Sequence, residues 1–224
     1  MNAKRAAAIQ AVTFIQNGMT VGLGTGTTAL YAIEAVGKLL QNGFTLNIVA
    51  SSIKSEQLAR DAGLTITPFS SINKLDLYID GADEVDKNHN LIKGGGGALL
   101  REKILAYHSS EFVVIVDESK IVNTLGRFPV AVEVLPFAIE LTMRSIRGLK
   151  CKPVLRQQEG RDFVTDNGNY IVDCAFGAIS DPAFTQHQLK QIPGVIEAGL
   201  FQKEFCGRVV IGYNDGRVDV LQPL

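Results

Sequence analysis

The sequence has little of what marks secreted or membrane-bound proteins. Its cysteines, Cys151, Cys174 and Cys206, are odd in number, far apart and in no CxxC pattern. This usage favours free, buried thiols in a reducing compartment over a disulfide framework. The start of the chain lacks an apolar signal core, and no stretch approaches about 18 uninterrupted apolar residues. The sequence therefore predicts a soluble, cytoplasmic protein without a membrane segment.

An excess of charge of one sign and a cluster of histidines are also missing. The 22 basic and 23 acidic residues give a formal net charge of −1, so the chain has no electrostatic footprint for nucleic acid or an anionic membrane. The histidines, His89, His108 and His187, are scattered, and His89 lies among acids without the spacing of a calcium loop. No GxSxG elbow supports a serine hydrolase. We predict no bound metal, no nucleic-acid partner and a strictly local site for any anion.

The first half of the chain alternates between strand-like and helix-like segments. The predicted strands are residues 20–23, 46–50, 64–67, 75–79 and 112–116, and the predicted helices are residues 4–16, 27–41, 53–62 and 98–107. Several of these strands are apolar throughout, which is typical of a parallel sheet with helices on both faces. The sequence therefore predicts an α/β fold.

After residue 127 the strands shorten and the order of elements becomes β-α-β-β-α-β, which predicts a ferredoxin-like α+β lobe. Within it, Asp166-Asn167-Gly168-Asn169 is a hairpin signal between two strand-like segments. The tail, residues 208–213 and 218–221, reads as a further hairpin that returns to the first sheet. We therefore predict two domains, residues 1–128 with 203–224 and residues 129–202.

A glycine-rich turn, GLGTGTT at residues 22–28, joins the first strand to the next helix. Backbone N–H groups and the helix dipole favour an anion at such a turn. Thr27 breaks the dinucleotide fingerprint, and no Gly-Lys-Ser/Thr follows to make a Walker A loop. The threonine hydroxyls suit one terminal phosphate, and a purely structural turn is the alternative. The sequence leaves three candidates for the cation that a phosphate requires: Lys4, Arg5 and Lys120.

Two carboxylates follow the apolar strand that ends near residue 79. Asp80 and Asp83 lie three residues apart on a turn, so both can face one cavity at the carboxyl end of the sheet. One can orient hydroxyl groups while the other handles protons. An ordinary capping or solvated loop acid is the alternative, and we expect that role for Glu84 and Asp86.

A lysine, four glycines and a helical glutamate come next. A flexible linker explains Gly94–Gly97 poorly, because four glycines forfeit backbone entropy between a strand and a helix. Their N–H groups can instead converge on an anion, as in an oxyanion hole, beside Lys93. Glu102 lies about one turn into the helix, where Arg101 and Lys103 point elsewhere, and is either a base or a surface residue. Together these groups suit proton transfer beside a carbonyl through an enediolate.

On these residues the sequence closely resembles the A-type ribose-5-phosphate isomerases. The matching motifs are VGLGTGTTA (21–29), DLYIDGADEVD (76–86), LIKGGGGALLREKI (91–104), VIVDESK (114–120), FPVAVEVLP (128–136), VTDNGNYIVD (164–173) and IPGVIEAGLF (192–201). The resemblance implies a Rossmann-like main domain and an α+β lid that also serves in oligomerisation, in a homodimer or dimer of dimers. It implies neither a metal nor a nucleotide cofactor.

The resemblance also implies a reaction, the interconversion of D-ribose 5-phosphate and D-ribulose 5-phosphate in the non-oxidative pentose phosphate pathway. It makes Glu102 the general base between C2 and C1, and it links Asp80 and Lys93 to ring opening and hydroxyl contacts. Stabilisation of the enediolate falls to Asp83 with the amides of Gly94, Gly95 and Gly96. The other substrate-binding residues that it implies are Thr25, Gly26, Thr27, Thr28, Gly81, Ala82, Lys120 and, with less matching sequence around it, Lys4.

Departures from the family pattern are modest. Thr27 stands where Ser is frequent, Gly97 where Ala is, and Leu100 where Thr is. Thr27 keeps the hydroxyl, Leu100 loses a polar contact, and we expect Gly97 to loosen the start of the helix by at most about 1 kcal/mol.

Three other classes with related folds are weaker alternatives. A sugar-phosphate deaminase would need a catalytic histidine, for which His89 is the loop candidate, and a CoA transferase would use a glutamate nucleophile. A sensor domain would bind sugar phosphate without turnover.

Overall fold

A computed structural model describes residues 2–223 of the chain. Within that range the helices are α1 (Ala3–Val12), α2 (Thr27–Gln41), α3 (Ile53–Asp61), α4 (Leu99–Tyr107), α5 (Ile139–Arg147) and α6 (Pro182–Lys190). The strands are β1 (Thr20–Leu23), β2 (Asn47–Ala50), β3 (Leu75–Asp80), β4 (Glu84–Asp86), β5 (Leu91–Ile92), β6 (Ser109–Asp117), β7 (Ile121–Val122), β8 (Val130–Val134), β9 (Lys152–Leu155), β10 (Gln157–Gln158), β11 (Arg161–Asp162), β12 (Tyr170–Ala175), β13 (Val195–Ala198), β14 (Leu200–Phe201), β15 (Val209–Gly212) and β16 (Val218–Leu221). None of the helices in residues 2–223 has the length and apolar character needed to cross a bilayer.

The chain divides into two compact units. The first comprises the chain up to Ala82, Arg101–Ile121 and the chain from Lys203 onward, and the second comprises Asp83–Leu100 and Val122–Gln202. Residues 83–100 and 122–128 therefore pack with the second unit. The compact units differ from the predicted domains in the assignment of these two segments. Residues 1–128 with 203–224 and residues 129–202 remain our proposal for the two folding domains.

The sheet of the first unit has the strand order β16-β15-β6-β3-β1-β2. Strands β2, β1, β3, β6 and β15 run parallel, and β16 is antiparallel at the edge. The predicted parallel sheet and the return of the C-terminal hairpin to it are thus confirmed. Helices α1 and α2 share one core cluster with the strands, in which Ala7 and Ala11 pack with Ile33 and Val36. This burial explains the apolar runs of the central strands.

The main sheet of the second unit is antiparallel with the order β13-β8-β12-β9. Helix α5 lies between β8 and β9 in the chain, and α6 lies between β12 and β13. This is the predicted ferredoxin-like arrangement. A smaller sheet in the same unit has the order β14-β5-β4-β7.

Gly199 divides the strand predicted at the end of the lobe into β13 and β14, which pair with different sheets. Its N–H donates to the carbonyl of Ala131 at 2.7 Å, and its carbonyl accepts the N–H of Lys93 at 2.9 Å. A Cβ at this position would lie 2.1 Å from the carbonyl oxygen of Lys93. Only glycine fits here. Its close approach allows the hydrogen bond that fixes the backbone of Lys93.

Two predicted elements are shorter than expected. The strand predicted at residues 64–67 is an isolated bridge between Ile66 and Ile48, because Pro68 follows and has no N–H to continue the pairing. Helix α1 ends at Val12 instead of at residue 16. Beyond Val12 the backbone N–H groups bond to carbonyls three residues back, which tightens the chain out of the α-helix.

The prediction that the cysteine thiols are free and buried is confirmed for Cys151, Cys174 and Cys206. Burial and the nearby charge of Glu111 raise the pKa of Cys206 to about 12. A hydrogen bond with Cys151 and burial raise the pKa of Cys174. The Cys174 and Cys206 thiols therefore stay protonated at neutral pH.

We expected Glu84 and Asp86 to be ordinary capping or solvated loop acids; both are buried, so the solvated alternative is wrong, while both do accept backbone N–H groups. The Glu84 carboxylate accepts the backbone N–H groups of Gly126 at 2.7 Å and Phe128 at 2.6 Å. Asp86 accepts the N–H groups of Asn88 and Asn90, each at 2.8 Å. On folding, backbone N–H groups lose their hydrogen bonds to water. The two carboxylates provide acceptors that replace the water.

We expect Glu84→Ala to lower the free energy of unfolding by about 2–6 kcal/mol, because it leaves two backbone donors without an acceptor and each costs about 1–3 kcal/mol. Urea denaturation followed by circular dichroism measures the loss. Glu34→Ala, which removes an exposed glutamate from α2, is the control and should change it by less than about 0.5 kcal/mol. Equal stability of the two variants would contradict the anchoring role of Glu84.

Candidate active site

The predicted site residues are distributed over both compact units. The first unit holds Lys4, Thr25, Gly26, Thr27, Thr28, Asp80, Gly81, Ala82, Glu102 and Lys120. The second unit holds Asp83, Lys93, Gly94, Gly95 and Gly96.

The glycine-rich turn lies between β1 and α2 and is open to solvent. Gly26 occupies the N-cap of α2 with φ +107°, a conformation that favours glycine, and Gly26 and Thr27 are exposed. The first turn of α2 therefore presents backbone N–H groups to solvent without a capping side chain. The Thr25 hydroxyl bonds instead to the hydroxyls of Ser51 at 2.9 Å and Ser52 at 2.8 Å. This end of the helix has the properties of an anion site.

Of the three candidate cations, Lys4 contacts this turn. Its ammonium donates to the Thr27 hydroxyl at 3.2 Å. Arg5, the next residue, lines a cavity of about 330 Å³ between α1 and α2. Lys120 ends a short 3₁₀ segment that follows β6, at the carboxyl edge of the sheet. Of the three candidates, Lys4 is thus placed beside the glycine-rich turn.

Asp80 is the last residue of β3 and is fully buried. One carboxylate oxygen accepts the N–H groups of Thr25 at 3.1 Å and Gly81 at 2.7 Å. The other accepts the Tyr78 hydroxyl at 2.6 Å. A Cβ on Gly24 would lie 1.9 Å from the Asp80 carboxyl carbon, so the turn closes on the carboxylate only with glycine there. Asp80 thus connects the glycine-rich turn to the central strand through hydrogen bonds.

Tyr78 is a site residue that the sequence analysis missed. It is fully buried, and its ring stacks on Phe112 with centroids 4.8 Å apart. Burial raises the pKa of Tyr78 well above its usual value, and the charges of Asp80 and Glu102 raise it further. The phenol therefore stays protonated and remains a donor. Its position two residues before Asp80, on the same face of the strand, was the available signal.

Glu102 lies in the first turn of α4, where the helix dipole favours a negative charge. It is 3% exposed, so the alternative of a surface glutamate is wrong. Its charge acts on Tyr78, which brings Glu102, Asp80 and the phenol into one electrostatic cluster. Such a cluster of interacting, buried ionisable groups is typical of proton-transfer sites.

In the second unit, a short hairpin places Asp83 opposite Lys93. Strands β4 and β5 pair Glu84 with Ile92, and the N–H of Asp83 donates to the carbonyl of Ile92 at 2.8 Å. The residues just beyond that ladder, Asp83 and Lys93, are therefore neighbours. Lys93 is 3% exposed, and its ammonium lies 5.7 Å from the ring centroid of Phe201.

The glycine loop, Gly94–Gly97, follows Lys93 and ends before α4. Gly94 and Gly97 have φ values of +108° and +78°, and the Gly97 N–H donates to the Gly94 carbonyl at 3.0 Å. The Gly95 N–H donates to the Asp83 carboxylate at 2.8 Å. A Cβ on Gly97 would lie 2.4 Å from the Phe163 ring. Gly97 lies before the first residue of α4, and the Phe163 ring occupies the space that a side chain would need. Our expectation that Gly97 loosens the start of the helix is therefore wrong.

His89, the histidine that a deaminase would need, lies in the turn between β4 and β5. It is buried, and burial lowers its pKa. Within residues 2–223, no three His, Cys, Asp or Glu side chains are grouped so that they could hold a metal ion.

Comparison with known proteins gives a consistent result. The model of a family described as ribose 5-phosphate isomerase A (phosphoriboisomerase A) matches residues 47–216. Ribose-5-phosphate isomerase A 1 of Oceanobacillus iheyensis is 46% identical over 213 residues, which cover 95% of each chain. The solved ribose 5-phosphate isomerase A of Methanocaldococcus jannaschii is 36% identical, with a TM-score of 0.92 over 98% of each chain. A D-ribose-5-phosphate isomerase solved in complex with phospho-erythronic acid is 38% identical, with a TM-score of 0.93 over 99% of this chain and 100% of that one.

We expect Tyr78→Phe to lower the free energy of unfolding at neutral pH by about 1.5–3 kcal/mol, because the buried Asp80 carboxylate loses a charge-assisted hydrogen bond. Urea denaturation measures the change. Tyr107→Phe is the matched control, since Tyr107 is 71% exposed and should lose less than about 0.5 kcal/mol. A Tyr78→Phe variant as stable as the wild type would show that the phenol does not hold Asp80.

Proposed function

The chain belongs to the ribose 5-phosphate isomerase A family, and we propose that it interconverts D-ribose 5-phosphate and D-ribulose 5-phosphate through an enediolate, with Glu102 as the general base. The observation that carries the choice of base is the burial of Glu102 in one electrostatic cluster with Asp80 and Tyr78. A buried carboxylate can take the proton from C2 and return it to C1 on the same face of the substrate. The reaction moves a proton and stabilises charge, so the proposal requires no cofactor.

The phosphate end of the substrate is assigned to the glycine-rich turn. The exposed N-terminus of α2 supplies N–H groups and the positive end of the helix dipole. Thr27 and Thr28 add hydroxyl donors, and Lys4 adds a positive charge at this turn. Gly26 allows close approach of the backbone. We include Thr25 as a residue that positions the turn and Lys120 as a second cation, placed by sequence resemblance.

The sugar end is assigned to the carboxylates and to Lys93. Asp80 and Lys93 take part in ring opening and contact the hydroxyl groups, and the adjoining Gly81 and Ala82 line the substrate. Asp83, with the amides of the glycine loop, stabilises the enediolate. Asp83 already accepts the Gly95 N–H, so it orients that loop as well as contacting the substrate.

The setting of the enzyme follows from the same family assignment. We propose a cytoplasmic enzyme of the non-oxidative pentose phosphate pathway that forms a homodimer or a dimer of dimers through its α+β lobe. A sensor that binds sugar phosphate without turnover is the remaining alternative, and the isomerisation assay separates the two.

We expect Glu102→Gln to lower kcat by about 10²–10⁴-fold, because the variant keeps the shape of the side chain and loses the base. The measurement is ketopentose formation from ribose 5-phosphate by EDTA-treated protein, with ligand binding followed by calorimetry. Binding should stay within about threefold of the wild type. Glu34→Gln on an exposed face of α2 is the control. Near-wild-type turnover in Glu102→Gln would remove Glu102 as the base, and a folded wild type that binds but does not turn over would favour the sensor.

We expect Lys4→Ala to raise KM about 10-fold or more with little change in kcat, because the phosphate it contacts is the same in the ground and transition states. Steady-state kinetics of Lys4→Ala and Arg5→Ala provide the comparison, since Arg5 is the exposed neighbouring cation. Arg5→Ala should keep the wild-type KM. Equal values of KM in the two variants, or a fall in kcat alone, would rule out the phosphate contact of Lys4.

A further inference from the structure

An arginine from the antiparallel sheet of the second unit contacts the glycine loop. Arg156 follows β9, and one of its terminal nitrogens donates to the carbonyls of Gly94 at 2.8 Å and Gly95 at 3.2 Å. The rest of the guanidinium is paired with Asp173 on β12, through Nε at 2.9 Å and the other terminal nitrogen at 2.5 Å. The Arg156 side chain is 14% exposed. A two-point pair of this kind fixes the plane of the guanidinium.

The contacts of Arg156 fix the direction of the neighbouring N–H groups. In a trans peptide the C=O and N–H bonds point in opposite directions. The bond to the Gly94 carbonyl therefore turns the Gly95 N–H away from the guanidinium, and that N–H donates to Asp83 at 2.8 Å. The bond to the Gly95 carbonyl turns the Gly96 N–H away from the guanidinium in the same manner. Arg156 therefore sets the direction of two successive N–H groups, of which that of Gly95 is bonded to the Asp83 carboxylate.

The glycine loop needs this external support because it has no side chains of its own. Glycine has more backbone conformations available than any other residue, so a four-glycine segment does not hold its amides in place by itself. Arg156 also lies over the Phe163 ring, 5.7 Å from its centroid. The same ring occupies the space next to Gly97. The loop is thus held near its start by the guanidinium and near its end by the ring.

We propose that Arg156 is a positioning residue for the isomerisation, which orients and polarises the amides of the glycine loop while Asp173 holds its guanidinium. A positive charge on the carbonyl side of a peptide strengthens the N–H as a donor. The effect appears in the transition state, where charge develops on the enediolate oxygens. This inference rests on the proposed function, because it assigns those amides to the enediolate.

Another arginine in the chain provides a matched control. Arg208 makes the same type of pair with Glu111, at 2.5 and 2.6 Å, and lies over the Phe14 ring. The side chains of that pair are 23% and 26% exposed, against 14% and 25% for Arg156 and Asp173. Both substitutions to alanine therefore remove a half-buried ion pair and a ring contact, and only Arg156→Ala frees the glycine loop.

The test compares steady-state kinetics of the full-length wild type, Arg156→Ala and Arg208→Ala with ribose 5-phosphate. We expect Arg156→Ala to lower kcat about 10²–10³-fold, comparable to the loss of an oxyanion donor, with KM changed by less than about threefold. Arg208→Ala should keep kcat within about threefold of the wild type. Added guanidinium or ethylguanidinium should restore part of the activity of Arg156→Ala, while Arg156→Lys should remain impaired because an ammonium lacks the fork.

Equal kcat values in Arg156→Ala and Arg208→Ala, or a change confined to KM, would overturn the proposal. If Arg156→Ala does not fold, Asp173→Asn keeps the arginine and loosens it, and kcat should then fall about 10-fold with KM unchanged; wild-type kcat in that variant would also overturn it. The activity of the wild type is a separate outcome. A wild type that does not isomerise ribose 5-phosphate refutes the proposed function, whereas an active wild type with an unaffected Arg156→Ala refutes this inference alone.

Discussion

The carboxylate of Asp80 is the buried charge on which the first unit's part of the site depends. A carboxylate removed from water must be hydrogen-bonded, because its desolvation is otherwise prohibitive. Here the partners are the N–H groups of Thr25 and Gly81 and the hydroxyl of Tyr78. The hydrogen bonds of this one carboxylate therefore connect the glycine-rich turn, the end of β3 and Tyr78. The position of the glycine-rich turn relative to the central strand follows from that requirement.

In the second unit, too, charged side chains are hydrogen-bonded to backbone groups. Glu84 accepts the N–H groups of Gly126 and Phe128, and Asp83 accepts that of Gly95. Arg156 supplies the opposite sign to the Gly94 and Gly95 carbonyls. Irregular backbone beside Lys93 and in the glycine loop is held in this way, where it belongs to no helix or long strand. These side chains therefore hold the main chain of the second unit in place.

The sequence predicted those elements and site residues that depend on neighbouring positions in the chain. Strand β1, helix α2 and strand β12 follow from periodicity and from their flanking glycines, and Asp80 and Glu102 follow from their places at a strand end and in a helix turn. Contacts between distant residues left no such signal. Arg156 lies 62 positions from Gly94, and Glu84 lies 42 positions from Gly126. Glu84 therefore looked like a solvated loop acid, and Arg156 gave no hint of its partner.

The glycine loop has a consequence for how the sequence can vary. The groups it presents, N–H and C=O, belong to the main chain, so no exchange of one amino acid for another, other than proline, can delete them. Exchange at these positions can only add atoms, and the space for them is already taken by Ala131 next to Gly94, Asp83 next to Gly95 and Phe163 next to Gly97. In this chain, a larger residue in place of Gly94, Gly95 or Gly97 would therefore require the neighbouring side chain to move or to become smaller. Substitutions at positions 94 and 97 are therefore coupled to the residues at positions 131 and 163, which belong to a different part of the sequence.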